Sequence, residues 1–188
     1  MPALTNNHSR YGLVAISLHW LMALAIIGMY PLGLYIETLD YYDSAYRTVP
    51  HWHKSIGILL LCLLVVRWLW KIASPQPTIL APSALQRRAI KLVHASMYLL
   101  MLVAMLSGYF ISTADGRGIE VFNWFEVPAL PALIEHQEDV AGEIHYWATT
   151  LLISLAALHM FAAFKHHFIN RDKTLVRMLE IRRVNNEH

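Results

Sequence analysis

The chain has 188 residues, of which 56 % are apolar and only 15 % are charged. Soluble domains are roughly one quarter charged, so this composition excludes an ordinary soluble domain and favours a single membrane domain. The net charge of +2 gives no reason to expect a nucleic acid as partner. The single cysteine, Cys62, excludes both a disulfide framework and a cysteine-rich zinc site.

Four segments are apolar and long enough to cross a bilayer, which requires about 20 residues. In chain order they are residues 11–36, 55–73, 92–113 and 144–164. The first segment is longer than the apolar core of a signal peptide, and no small-residue cleavage site follows it, so we expect it to stay attached. The sequence therefore predicts an all-α membrane protein, a four-helix transmembrane bundle formed by one domain over residues 1–188.

Basic residues mark one side of the predicted bundle. The cytoplasmic flanks of membrane helices are rich in Lys and Arg, and here these residues are concentrated in 71–91 and in the tail 165–188. Segment 37–50 instead carries three carboxylates and segment 114–143 carries seven, which together make ten of the thirteen. This pattern predicts that both termini are cytoplasmic. It makes 114–143 an outer loop, whose aromatic residues are typical of the membrane interface.

Four of the eleven histidines fall at two depths within this bundle. With a rise of about 1.5 Å per residue, His53 and His145 lie at the outer edge, and His19 and His159 lie towards the cytoplasmic edge. The fourteen residues from His145 to His159 span about 1400°, which is about 40° short of four full turns. Both imidazoles of this helix are therefore expected to face the bundle interior, roughly 21 Å apart along the axis.

This arrangement favours two haem groups, one at each depth. A neutral imidazole is a common axial ligand of haem iron, and ligation removes the cost of an unpaired imidazole in lipid. A single intramembrane histidine is often only an interhelical hydrogen bond, but that explanation does not account for two matched pairs. Zinc or copper would need further ligands at each depth, and a proton relay would favour carboxylates, which the four spans lack. We therefore predict two b-type haems, with iron bound by His53 and His145 outside and by His19 and His159 inside.

Four motifs carry a resemblance to a known family. ISLHWL, HKSIGI, GEIHYW and LHMFAAFKHHF resemble the bacterial cytochrome b561 family, and the match runs from about residue 11 to residue 168. The resemblance implies that the S-x-H-W-L pattern supplies His19 and that the H-x-S-x-G-I pattern supplies His53 as ligands. It assigns His145 and His159 as the two ligands of the fourth span. The short subgroup of this family, with four spans and two b haems, fits the length of the chain.

Three further residues are candidates for contacts with a quinone or with a haem propionate, namely Arg67, His94 and His166. Arg67 is the one charge within the apolar length of a span, where its default interpretation is snorkelling to lipid phosphate. His94 lies near the cytoplasmic edge and is also an alternative ligand in place of His19 or His159. His166 follows His159 by two helical turns. In related superoxide-oxidising members a histidine at this place lies by the quinone site, although interfacial contact with lipid phosphates explains it equally well.

The predicted function is that of a dihaem b-type cytochrome in a bacterial inner membrane. It is expected to move single electrons between a periplasmic partner and the membrane quinone pool, with quinone as the substrate. A first alternative, implied by the resemblance, is superoxide oxidase activity, a superoxide:ubiquinone oxidoreductase. The ten outer carboxylates disfavour the steering of an anion towards the outer mouth. They would suit a basic periplasmic redox protein or a small quinone carrier. A further alternative is a membrane anchor subunit that passes electrons for a separate dehydrogenase.

Overall fold

Four long helices build the molecule. The computed structural model describes residues 4–81 and 83–179. Its elements are α1 (Leu13–Ile36), α2 (Thr48–Ala73), α3 (Ala84–Ser112), β1 (Ile119–Val121), β2 (Phe125–Val127), α4 (Gln137–Phe168) and α5 (Val176–Leu179). Each of the four long helices contains a stretch that is long and apolar enough to cross a membrane. The predicted four-helix membrane bundle is therefore confirmed.

Three of the helices are longer than the apolar spans from which they were predicted. Helix α2 begins at Thr48 rather than at residue 55, and α4 runs from Gln137 to Phe168 rather than from 144 to 164. Helix α3 begins with a capping box, in which the Ser83 hydroxyl and the Gln86 side chain each accept a hydrogen bond from the other residue's backbone N–H. Hydropathy marks only the part of a helix that suits lipid, whereas the helix itself continues until a cap or a turn ends it.

The tail differs from its prediction in the same way, because α4 continues into it as far as Phe168. Beyond α4 the chain makes a turn and then forms the short helix α5. Residues 180–188, which include the basic residues Arg182 and Arg183 used for orientation, lie outside the described part of the chain.

A buried apolar cluster occupies the middle of the bundle. Its members come from all four helices and are Met22, Leu60, Leu64, Met101 and Leu152. Leu152 lies seven residues from His145 and seven from His159, so the cluster separates the depths of these two histidines. We call the end of the bundle that carries His53 and His145 the outer end, and the opposite end the inner end.

A small β-hairpin covers part of the outer end. Strands β1 and β2 pair antiparallel, with Val121 opposite Phe125. Ile119 and Val121 are buried against Ile58 of α2. The buried hydroxyl of Ser55 donates to the carbonyl of Glu120 and accepts from the N–H of Phe122. The hairpin is thereby held on the first turns of α2, next to His53.

Candidate haem sites

The outer end brings together the two histidines that the sequence pairs there. The ring centres of His53 and His145 are 6.3 Å apart, and the ring planes make an angle of 71°. Nδ1 of His145 donates to the carbonyl of Ala104 at 2.8 Å, which leaves Nε2 as the free lone pair. Nδ1 of His53 is buried and has no hydrogen-bond partner within residues 4–81 and 83–179. Such an imidazole is costly in an apolar interior unless a ligand or metal engages the ring.

The inner end brings together the other predicted pair. The ring centres of His19 and His159 are 6.5 Å apart, again with 71° between the ring planes. His94 of α3 lies nearer still, with its ring centre 5.2 Å from that of His159. Nδ1 of His94 donates to the carbonyl of Ile90 at 2.7 Å. Three imidazoles from three helices therefore meet at this end of the bundle.

The spacing within each pair tests whether a metal fits between the rings. Bonds between imidazole nitrogen and a first-row metal are about 2.0–2.1 Å long, and a ring nitrogen lies about 1.1 Å from the ring centre. Two imidazoles on opposite sides of one metal therefore have ring centres about 6.3 Å apart. The separations of 6.3 and 6.5 Å fit this value, whereas 5.2 Å is too short. By ring spacing alone, His19 suits the position opposite His159 better than His94 does.

Glycines leave room beside the outer pair. A Cβ atom on Gly108 would lie 3.1 Å from Cε1 of His145, and one on Gly33 would lie 3.4 Å from Cε1 of His53. Gly57, one turn beyond His53, faces open space with no atom within 4 Å of the position that its Cβ would take. Two glycines thus allow close approach to the imidazoles, and a third opens space one turn below the ring. This is room of the kind that a planar macrocycle requires.

Arg67 belongs to the inner site and not to the lipid surface. Its Nη2 lies 3.0 Å from Nδ1 of His19, and its guanidinium lies over the ring of Tyr98 at 5.6 Å. Lys71 approaches the same ring at 4.7 Å. A guanidinium only donates hydrogen bonds, so Nδ1 of His19 accepts and the proton is on Nε2. Binding of a metal at Nε2 would move this proton to Nδ1 and release Arg67 for another acceptor.

His166 lies in a different environment from the inner pair. Its Nδ1 donates to Oδ2 of Asp172 at 2.5 Å, and both side chains are largely buried. Burial opposes the charge of Asp172, but hydrogen bonds from Thr174 and His166 outweigh it and hold the pKa of Asp172 below its ordinary value of 3.8. The tail that carries this pair is docked, because the Trp20 indole donates to the carbonyl of Met178 at 2.7 Å. The ring centre of Trp20 lies 5.3 Å from that of His19, so the docked tail lies next to the inner site.

The sequence alone did not identify Tyr98, Ala104 or Asp172 as contacts of these sites. Tyr98 is one of many aromatic residues in an apolar helix, and Ala104 acts through its backbone carbonyl, which no residue type reveals. Asp172 is the only carboxylate between residues 144 and 179. Its isolation six residues after His166 is the one signal from which this contact was predictable.

Comparison with known sequences gives the family. The sequence profile of prokaryotic cytochrome b561 matches residues 10–180. The chain belongs to the prokaryotic cytochrome b561 family. Cytochrome b561 homolog 2 of Escherichia coli (strain K12) is 48 % identical over 176 residues, which cover 93 % of this chain and 94 % of the relative. Two relatives are more distant. The probable superoxide oxidase CybB of Yersinia pestis is 26 % identical over 94 % of this chain and 99 % of the relative. Cytochrome b561 homolog 1 of E. coli (strain K12) is 27 % identical over 93 % of this chain and 99 % of the relative.

Membership of the cytochrome b561 family confirms the resemblance that the four motifs suggested. As a b561 cytochrome, the protein is a multi-pass membrane protein that binds haem b and transfers electrons. The haem supplies the one-electron redox chemistry, and the protein supplies axial ligands, the polarity of the site and access to it.

Proposed function

We propose that this b561 cytochrome carries two b haems and moves electrons across a bacterial inner membrane, between a periplasmic partner and the quinone pool. His53 and His145 would hold the outer haem, and His19 and His159 the inner one. The observation that carries the proposal is the presence of two opposed imidazole pairs with the same spacing, 6.3 and 6.5 Å. The two pairs share α4, on which His145 and His159 are about 21 Å apart along the axis.

The surrounding residues would orient each pair. The carbonyl of Ala104 holds the proton of His145 on Nδ1, which would leave Nε2 to bind the iron. The buried cluster around Leu152 would exclude water between the two haems. At the inner end, release of Arg67 from His19 would make the guanidinium available to a propionate. Each of these roles belongs to a named residue of this chain and can be tested by substituting that residue.

The proposed orientation places both termini in the cytoplasm. It rests on the basic segments 71–91 and 165–188 and on the acidic outer segments, as the positive-inside rule requires. Single accessible cysteines test this orientation directly. They are placed in loop 74–81 or in the hairpin of a variant from which Cys62 has been removed. A membrane-impermeant thiol reagent applied to intact spheroplasts should label the hairpin and leave the loop unlabelled. The reverse pattern would invert the topology.

The haem content is the primary test of the dihaem proposal. Purified protein should contain two protohaems per chain by pyridine haemochrome assay, with low-spin bis-imidazole spectra. A content of one haem per chain would exclude the pairing of four histidines. Co-purification of a large soluble subunit from native membranes would instead favour the role of an anchor for a separate dehydrogenase.

Quinone is proposed to react at the inner end, at a place formed by His166, Arg67 or His94. His166 lies two turns beyond His159, and its Nδ1 donates a hydrogen bond to the carboxylate of Asp172. His166→Phe keeps a flat ring and loses the donor. Both haems should remain bound and reducible by dithionite, while electron exchange with quinone should slow at least about tenfold, equivalent to about 1.4 kcal/mol.

His167→Phe is the matched control, since it removes the neighbouring imidazole of the same helix end and should leave the rate unchanged. An unaltered rate in His166→Phe, together with a loss in Arg67→Gln or His94→Phe, would move the quinone site to those residues. If none of the three substitutions changes the rate, quinone does not react at this end.

Superoxide oxidation is a second candidate, favoured by the name of the Yersinia pestis relative at 26 % identity. The charges of the outer end argue against efficient steering of an anion. Among the outer basic residues, Arg117 is paired with Asp115, which leaves Arg47 and Lys54 against the surrounding carboxylates. Purified protein supplied with superoxide and a soluble ubiquinone tests the activity. Ubiquinol formation that stops on addition of superoxide dismutase would establish it.

A further inference from the structure

An open cavity of about 580 Å³ lies at the outer end, between the first turn of α2 and the turn of the hairpin. Its walls include Arg47, His51, Trp52, Phe122 and Trp124. Cavities of about 300–1,000 Å³ are typical of small-molecule sites. A molecule of two or three fused rings is small enough for this volume.

Three aromatic rings form one wall of this outer cavity. The ring centres of Trp52 and Phe122 are 5.2 Å apart, and those of Phe122 and Trp124 are 5.4 Å apart. Much of the surface of Trp124 is uncovered, with 77 % of the residue exposed. Rings at these distances already contact one another and still present faces and edges to a planar guest.

The hairpin turn adopts an unfavourable backbone to place Phe122 in this wall. Phe122 has φ of 49° and Asn123 has φ of 58°, both in the left-handed region. A bulky aromatic residue rarely occupies that region, and such backbone strain persists only where the surroundings impose it. Here the hydroxyl of Ser55 accepts from the N–H of Phe122 at 3.1 Å and holds the turn against α2.

The charge of the outer cavity is opposite to that of the surface around it. Arg47 supplies a cation, and no carboxylate lines the cavity. The Arg47 side chain has no ion pair or hydrogen bond within the described ranges 4–81 and 83–179, whereas Arg117 is neutralised by Asp115. An unpaired guanidinium beside aromatic faces favours a planar guest that carries an anionic group.

The position of the outer cavity connects it with the outer imidazole pair. His51 and Trp52 line the cavity and directly precede His53 on α2. Ser55, which holds the hairpin, is two residues beyond His53. A guest in the cavity is therefore bound on the same two helical turns that carry one imidazole of the outer pair.

We propose that this cavity binds a water-soluble, anionic, fused-ring hydroquinone and that this molecule is the outer electron donor. The proposal rests on the function proposed above and specifies its donor as a small molecule. The hydroquinone would lose two electrons, one at a time, to ferric haem at the outer pair, and would release two protons to the outer solvent. It would leave as the quinone. The aromatic wall would bind its rings, and Arg47 its anionic group.

Binding of the oxidised form tests the site without any haem reaction. The probe is anthraquinone-2-sulfonate, titrated by calorimetry into the full-length protein in nanodiscs of zwitterionic lipid. One probe should bind per chain, and Arg47→Gln and Trp124→Ala should each raise its Kd at least about tenfold. Arg117→Gln and Trp147→Ala are the matched controls, because they remove an arginine and an exposed tryptophan from outside the cavity, and their Kd should be unchanged.

The reduced form of the probe tests the electron transfer. Its rate of haem reduction should fall in Arg47→Gln and Trp124→Ala, while reduction by dithionite stays the same in all four variants. Binding should also persist in His145→Ala, so that loss of the outer haem and loss of the cavity are distinguished. Equal affinity in all variants would overturn the proposal. Displacement of the probe by an anionic phospholipid would likewise overturn it, and would identify a lipid headgroup site.

Discussion

The close contact between Gly108 and His145 predicts that the proposed outer haem is sensitive to a single added carbon. A Cβ at residue 108 would lie 3.1 Å from Cε1 and 3.3 Å from Nδ1 of the imidazole. Carbon atoms pack best at about 3.5–4.0 Å, so the ring would have to withdraw by roughly half an ångström. Withdrawal also strains the hydrogen bond of 2.8 Å to Ala104, which holds the tautomer.

The expected loss of haem affinity can be estimated from known effects of residues that orient a metal-ligating histidine. Disturbing the residues that orient a metal-ligating histidine typically weakens metal binding about 10–100-fold, which corresponds to about 1.4–2.7 kcal/mol. Gly108→Ala should lie at the lower end of this range, and Gly108→Val at the upper end because of its two further methyl groups. Replacement of glycine inside a helix otherwise stabilises the helix by up to about 1 kcal/mol. Loss of haem would therefore not reflect loss of the helix.

Haem retention during dilution, followed by pyridine haemochrome assay and by EPR, measures this effect. Gly108→Val should release one haem faster than the wild type and keep the other, and the haem that remains should match the one retained by His145→Ala. Gly28→Val is the matched control, because no atom lies within 4 Å of the position of its Cβ. Full retention of both haems in Gly108→Val, or equal losses in the two glycine variants, would refute the assignment of this contact to a haem ligand.

Four further predictions concern the two sites and the tail. His53→Ala and His19→Ala should each remove one haem and give complementary EPR spectra; loss of both haems from each variant would contradict two independent sites. His94→Ala should keep two haems per chain, because its ring is too near its neighbour to share a metal with it; a content of one would make it a ligand. Arg67→Met should lower the midpoint potential of the inner haem by about 70 mV, because a unit charge about 10 Å away at an effective dielectric constant of about 20 contributes about 1.7 kcal/mol. Redox titration measures this shift. An unchanged potential would show that Arg67 does not act on the inner haem. Asp172 has a lowered pKa, so its contribution to tail docking is fully present above its ordinary value of 3.8 and is lost as pH falls through the lower folded value. Asp172→Asn should therefore speed proteolysis of the tail at neutral pH. It should also abolish the increase in proteolysis that the wild-type protein shows when the pH falls below the pKa of Asp172.

The helices and the pairing of the histidines were predictable because both depend on period and depth. Lipid requires about 20 apolar residues per span, and the helical repeat fixes which residues of one helix share a face. These two rules suffice to bring His145 and His159 to one side of α4. They also give the levels at which His53 and His19 meet them from other helices.

The contacts of Arg67 and the hairpin were not predictable in this way. The sequence gives Arg67 a depth but not a rotation, so snorkelling to phosphate was the default interpretation, with a propionate or quinone contact as the alternative. The structure places the guanidinium inside, on His19 and Tyr98. The hairpin turn was hidden because Phe122 occupies a left-handed position at which glycine or asparagine is the usual signal.

The two ends of the bundle differ in charge, and this difference bears on the direction of electron flow. At the inner pair, Arg67 contacts His19, and Lys71 lies on the ring that Arg67 covers. At the outer pair, the hydrogen-bonding contacts of His145 within the described part of the chain are neutral groups, the carbonyl of Ala104 and the hydroxyl of Ser107. A nearby cation disfavours the ferric state and raises the potential of a haem, whereas a nearby anion lowers it. With two haems bound as proposed, electrons would therefore move downhill from the outer pair to the inner pair and on towards the quinone.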